Sequence, residues 1–202
     1  MKIGPKYKIA RRLGAPIFEK TQTPKYTLSL ARKERIAGRG RGKPKSEFGR
    51  ELIEKQKARF SYGLTEKQFK NYVEKALRSQ EPVQKLFSLL ESRLDNVLFR
   101  SGLSKTRAQA HQIASHGHVM VNKKRVTIPS IFLSEGDEVS LRPSSATGPL
   151  FGEATERMKT MSSPVWLKTD PENKQATVVG RPVYVPQEHV FDLGTVIEFY
   201  NR

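Results

Sequence analysis

Apolar residues recur at helical intervals between Ser46 and Glu91, and then the period changes. Phe48, Leu52, Ile53 and Phe60 fall near one face of a first helix, with Arg50, Lys55, Lys57 and Arg59 at other positions. Phe69, Tyr72, Val73, Ala76 and Leu77 follow the i, i+3, i+4, i+7, i+8 pattern of a second amphipathic helix. Ahead of it, Thr65-Glu66-Lys67-Gln68 has the spacing of a capping box, in which the threonine oxygen accepts from a free backbone N–H. Pro82 suits the first position of a third helix, whose apolar side is Leu86, Phe87, Leu89 and Leu90. Three such helices are expected to pack as a small bundle.

Ser92-Arg93-Leu94-Asp95 again has capping-box spacing and predicts a helix that buries Leu94, Val97 and Leu98 and ends at Gly102. Thr106-Arg107-Ala108-Gln109 opens another helix through Ala110, Ile113 and Ala114, with Gly117 suited to a left-handed stop. Val119 and Val121 then alternate with His118 and Met120, a strand pattern, and Asn122-Lys123 can turn the chain into Lys124-Arg125-Val126. Gly136-Asp137 leads into a further strand over residues 138–142, with Val139 and Leu141 facing inward. Two helices followed by short strands make an α+β module of their own.

The flanks are less regular. Residues 1–45, broken by Gly4-Pro5, Pro16, Pro24 and Pro44, read as an irregular arm with at most one short helix around Leu28–Ile36. Beyond Arg142 a short helix is expected around Glu153–Met161 and a strand around Ala176–Val179, and the closing run Val196–Tyr200 leans towards helix. The domain reading is therefore an arm (1–45), a helical domain (46–91), an α+β module (92–143), and a linker with a C-terminal segment (144–202).

Charge changes this picture most in the arm. Residues 1–60 carry 18 Lys and Arg against 5 Asp and Glu, within a chain of net charge +17. Like charges so crowded weaken a compact state unless a polyanion lies against them, although a solvated basic tail has the same composition. There is no cysteine, so disulfides, thiolate metal sites and thiol nucleophiles are excluded. No apolar run approaches the ~20 residues of a membrane span, and no apolar stretch follows the N-terminal lysines as in a signal peptide. The four histidines offer no ligand set of suitable spacing. Gly42-Lys43-Pro44 lacks the Ser or Thr of a phosphate-cradling loop. No metal or cofactor is expected.

The candidate chemistry is phosphate binding. Arg93 and Arg100 lie on the module's first helix, Lys105 and Arg107 at the start of its second, and Lys123, Lys124 and Arg125 at the strand turn. Arg107 opposes the positive end of its own helix, a conflict that a bound anion would relieve; a solvated surface arginine remains the alternative. The chosen contacts are Arg93, Lys105, Arg107, Lys123, Lys124 and Arg125 in the module. Arg50, Lys55, Lys57 and Arg59 are added from the helical domain, and Arg11, Arg12, Arg39 and Arg41 from the arm. Lys55 and Lys57 could instead serve helix-surface ion pairs, such as Glu51 with Lys55.

Five runs in order, Arg93–Val97, Thr106–Ala110, His116–Asn122, Ile128–Ser130 and Gly136–Val139, resemble the RNA-binding domain named after ribosomal protein S-four. Arg50-Glu51, Glu54–Lys57, Tyr62-Gly63 and Glu66–Phe69 resemble the helical domain of that bacterial family, as do Gly4-Pro5 and Glu198–Arg202 its termini. The resemblance implies an α+β protein: a basic arm and a mainly helical domain, with the RNA-binding module inserted and the C-terminal segment closing the helical domain. It implies a structural constituent of the small ribosomal subunit that binds its rRNA at a multi-helix junction of the 5′ domain, nucleates assembly of the subunit body and contributes to decoding accuracy. The implied partners are small-subunit rRNA, ribosomal protein S-five and other subunit proteins, and messenger near the entry channel, with no membrane. The implied location is the small subunit in the cytoplasm, or an organelle stroma or matrix.

Many members of that family hold zinc on four arm cysteines, and alignment puts Tyr7, Ala10, Thr21 and Tyr26 at those positions. The arm is therefore expected to take its order from RNA phosphates and from apolar anchors such as Ile9, Ile17, Phe18 and Tyr26. A rival class is an RNA-modifying enzyme. The same module occurs in pseudouridine synthases, and Arg93-Leu94-Asp95 mimics the run around the catalytic aspartate of some of them. Against it, Asp95 falls where a helix-capping carboxylate is ordinary, and no catalytic domain of sufficient size is left over.

Overall fold

The computed structural model describes residues 3–37 and 46–201. The chain forms two compact units, one of residues 1–86 with 185–202 and one of residues 87–184.

In the first unit the described part of the arm, residues 3–37, is largely helical rather than irregular. Helix α1 (Lys6–Leu13) is followed by a 3₁₀ turn (Glu19–Gln22) and helix α2 (Pro24–Ala37). Two of the prolines that read as breaks in the sequence are boundaries, Pro5 preceding α1 and Pro24 opening α2, while Gly14 at φ 69° ends α1; Pro44 lies outside the described residues. Ala10, Phe18 and Tyr26 form a small buried cluster, with Ile9, Ile17 and Phe60 packed against it. The four positions aligned with zinc cysteines contribute to this packing. The Tyr7 and Tyr26 rings lie 5.3 Å apart, Ala10 is fully buried, and Thr21 accepts from the Phe18 N–H and donates to the Phe18 carbonyl.

Helices α3 (Glu47–Ser61), α4 (Glu66–Leu77) and α5 (Pro82–Glu91) follow the sequence pattern. The Thr65 hydroxyl accepts from Gln68 N–H while the Gln68 side chain takes the Thr65 N–H, so the capping box forms as expected. Helix α10 (Leu193–Tyr200) is capped by Asp192 and packs on α3 and α4. Its ring pairs are Phe48 with Phe199 at 5.4 Å and Phe69 with Tyr200 at 6.5 Å. Fully buried Phe69, Val73, Leu86, Leu193 and Val196 contribute about 1.5–3 kcal/mol each by leaving water.

The second unit contains α6 (Leu94–Arg100), α7 (Arg107–Ser115), and strands β1 (Val119–Val121), β2 (Lys124–Val126) and β3 (Glu138–Leu141). Helices α8 (Pro143–Ala146) and α9 (Ala154–Thr160) follow, then strands β4 (Leu167–Asp170) and β5 (Gln175–Val178). The antiparallel sheet has the order β2-β1-β3-β5-β4. The sheet extends beyond residue 143, because β5 pairs with β3, and the compact unit runs to Tyr184. Leu94, Val97, Leu98, Ala110, Ile113 and Ala114 pack with Val119, Val139, Leu141, Val178, Phe151, Met158 and Trp166 in one core. Trp166, Leu167 and Val178 complete a core that the first three strands alone leave open.

Candidate nucleic-acid interface

Helix α6 does not start with a capping box. Arg93 stands at the N-cap position without a side-chain cap, and the Leu94 and Asp95 N–H groups donate to the carbonyls of Ile131 and Pro129 at 2.9 and 3.0 Å. A loop from beyond β2 thus occupies the donors that an anion would need. Asp95 is freed from capping and instead takes Arg93 Nε at 2.9 Å and lies 3.1 Å from His111 Nδ1. Burial opposes its charge, but the hydrogen bonds and charges of His111 and Arg93 prevail and hold its carboxyl below the ordinary carboxylate range.

Arg93 is 2% exposed and committed to that pair, so it is withdrawn as a phosphate contact. Lys55 is withdrawn for the same reason: its ammonium donates to Glu66 at 2.6 Å and lies over the rings of Phe199 and Tyr200. Glu66, in turn, is disfavoured as a charge by burial but is held low by Lys55, Tyr200 and Arg59. Burial and the same glutamate push the Tyr200 phenol well above its ordinary range.

Lys57 and Arg59 are also turned to internal tasks. Lys57 pairs with Glu54 at 2.7 Å, and the other Glu54 oxygen accepts the Asp192 N–H at the start of α10. Arg59 reaches Gln56 with two nitrogens and stacks on Phe60 at 4.2 Å. Sequence spacing anticipates ion pairing on α3, but the carboxylate on Lys55 is Glu66 from α4, a partner that only folding brings close.

The remaining candidates face solvent to a greater degree. Arg12, Arg50, Lys123, Lys124 and Arg125 are exposed, Arg11 is half-buried, and among the described residues none of them takes part in a salt bridge. Arg11 and Arg12 sit in the last turn of α1, where cations suit the negative end of the helix. Lys105 is exposed and pairs with exposed Glu153, a contact that solvent screens. Arg39 and Arg41 lie outside the described residues.

At the β1–β2 turn, Asn122 and Lys123 take φ of 49° and 65°, the left-handed pair a two-residue hairpin demands. Asn122 is tied down by its Oδ1, which accepts from Glu138 N–H at 2.9 Å, and by its Nδ2, which donates to Asp137 at 2.7 Å. The three cations therefore project from a turn with a fixed base. A Cβ on Gly117, at φ +72°, would stand 2.4 Å from Arg125 Nε, so the missing side chain at the end of α7 leaves room for that guanidinium.

Arg107 has its anion inside the molecule. Its Nε donates to Asn96 Oδ1 at 2.7 Å, a terminal nitrogen lies 3.7 Å from Glu91, and the guanidinium covers the Phe99 ring at 4.5 Å. The dipole conflict read from the sequence is thus relieved by a protein carboxylate. Sequence reasoning chose neither Arg100 nor its partner Glu91; the available signal was a glutamate directly after the apolar pair Leu89-Leu90. Among the described residues no group of three or more His, Asp or Glu is arranged to hold a metal ion, and no helix is long and apolar enough to cross a membrane.

Residues 1–91 match the model of the ribosomal protein S4/S9 N-terminal domain, and residues 92–139 match that of the S4 domain. The small ribosomal subunit protein uS4 of Aquifex aeolicus is 40% identical over 99% of this chain and 98% of its own length. The uS4 protein of Latilactobacillus sakei is 41% identical over 98% of both chains.

Proposed function

This chain belongs to the uS4 family of small ribosomal subunit proteins, and from that membership we propose that it is a structural component of the small subunit that binds its rRNA. The site is a junction of several RNA helices in the 5′ domain, where binding nucleates assembly of the subunit body. The observation that carries the reading is the set of solvent-facing cations outside internal ion pairs, Arg11, Arg12, Arg50 and Lys123–Arg125. They lie on the arm and on α3 in the first unit and on the hairpin in the second, and each group offers cations to phosphates. Lys105, Arg107, Arg39 and Arg41 join them in the proposed contact set. Neutralising several phosphates at once releases counterions, which makes affinity large and steeply salt-dependent.

Contact with ribosomal protein S-five and a position near the messenger entry channel belong to the same proposal and connect the protein to decoding accuracy. The enzyme reading has less support, because Asp95 is enclosed by Arg93 and His111 and its carboxylate is already committed. The test is competition. The protein should retain a transcript of the rRNA 5′ domain at salt where duplex DNA no longer competes, because a folded junction is read by shape and 2′-hydroxyls. It should also sediment with the small subunit. Equal competition by duplex DNA, or absence from the subunit, overturns the proposal.

A further inference from the structure

A row of aromatic rings leads from the core of the first unit into solvent. Phe69 is fully buried and lies 6.5 Å from the Tyr200 ring, and the Tyr200 and Phe199 rings meet edge to face at 5.3 Å. Lys55 steadies Phe199 as well, with its ammonium 4.7 Å from the ring centroid. Phe48 ends the row, 5.4 Å from Phe199 with the two planes tilted by 33°. Its backbone is fixed in the first turn of α3, where Ser46 Oγ accepts from Gly49 N–H at 3.2 Å. Yet Phe48 is 52% exposed, and among the described residues no Phe, Tyr or Trp is more so.

A single surface phenylalanine needs no explanation by itself, but two features set this one apart. Phe199 already braces the ring, so a planar partner on its exposed part costs little further rotamer freedom. The second feature is the charge around it in the sequence. Residues 38–45, outside the described residues, hold Arg39, Arg41, Lys43 and Lys45 without one Asp or Glu, and they end directly before Ser46. Exposed Arg50 follows two positions after the ring. Cations that track a phosphate backbone, interleaved with a ring on which a base stacks, are the two parts of a single-strand nucleic-acid site. We propose that Phe48, braced by Phe199, stacks on an unpaired base of the RNA, while the cations before and after it take the flanking phosphates. The inference rests on the rRNA-binding reading above, whose contacts are all charged side chains and include no ring.

Salt dependence separates stacking from charge attraction. Phe48→Leu keeps an apolar side chain beside Phe199 and removes the π face. In the full-length protein it should weaken binding of the rRNA 5′-domain transcript about fivefold or more in Kd, with the salt slope of wild type. Phe48→Tyr, which keeps a ring, should bind as wild type does. Phe48→Trp adds a second tryptophan to a chain whose own, Trp166, is buried, and the added emission should be quenched as the transcript binds. Thermal melting reports whether each variant folds; should Phe48→Leu unfold, the emission of Phe48→Trp decides the matter. Wild-type protein that fails to select the rRNA transcript defeats the functional reading. Wild-type selectivity, with Phe48→Leu folded and binding as wild type or with the added emission unchanged by RNA, defeats the stacking alone. A salt slope that falls together with affinity in Phe48→Leu also defeats it, because the ring would then only position cations. So does a Phe48→Leu protein that binds the transcript normally but no longer joins the small subunit, since a protein would then cover the ring.

Discussion

Helix α3 and the β1–β2 hairpin both look basic when read along the chain, yet they use their cations differently. On α3, Lys55, Lys57 and Arg59 are spent on Glu66, Glu54 and Gln56, and they fix the packing of α4 and α10. On the hairpin, Lys123, Lys124 and Arg125 stand in solvent on a turn whose base is hydrogen-bonded to Asp137 and Glu138. The α3 cations stabilise the fold through their side-chain partners, whereas the hairpin cations, outside any salt bridge among the described residues, are available to a partner. Local charge density does not separate the two.

The strongest challenge to that distinction is Arg93→Ala, which strands the buried Asp95. The module should lose about 3–5 kcal/mol of stability, measured by denaturant unfolding, while rRNA binding of whatever remains folded keeps its salt slope. Alanine at Lys123, Lys124 and Arg125 together should do the reverse. The salt slope of rRNA binding should fall by about three with stability changed by less than ~0.5 kcal/mol, and an unchanged slope would erase the comparison.

Lys55→Ala should cost about 1–2 kcal/mol in the first unit, less than Arg93→Ala because Glu66 keeps half its side chain in water. A pH series sharpens the same point. Asp95 is held below its ordinary carboxylate range, so the unfolded chain takes up its proton first as the solution is acidified. The stability it contributes is whole above roughly pH 4 and drains away as pH falls through the folded value. Asp95→Asn should therefore be less stable at neutral pH and show a shallower acid loss, read from melting temperature between pH 3 and 7. The smallest effect expected is at the turn. Lys123→Gly relieves a left-handed lysine and should raise stability by ~0.5–1 kcal/mol while weakening RNA binding, a trade that a purely structural lysine would not show.

Much of this was legible before folding. The capping boxes at Thr65 and Thr106 are local, since donor and acceptor lie three residues apart, and both form a side-chain cap. The one at Ser92 does not, because Pro129 and Ile131 reach the start of α6 first, and no local pattern reveals a loop arriving from that distance. The arm misled for a related reason: Pro5 and Pro24 start helices as well as interrupt them, and only the shared packing of Ala10, Phe18 and Tyr26 tells which. Strand β4 escaped because an edge strand with one buried face shows little alternation in four residues.

By itself the sequence determined the family, the α+β class, the absence of any thiol, and an excess of positive charge that calls for a polyanion. These follow from composition and from contacts a few residues long. Which cations answer that call was decided only in three dimensions, where the partners of Lys55, Arg93, Arg100 and Arg107 come from other turns, helices and loops. An ion pair depends on a separation of a few ångströms, and the order of residues along a chain does not specify that separation until the core has closed.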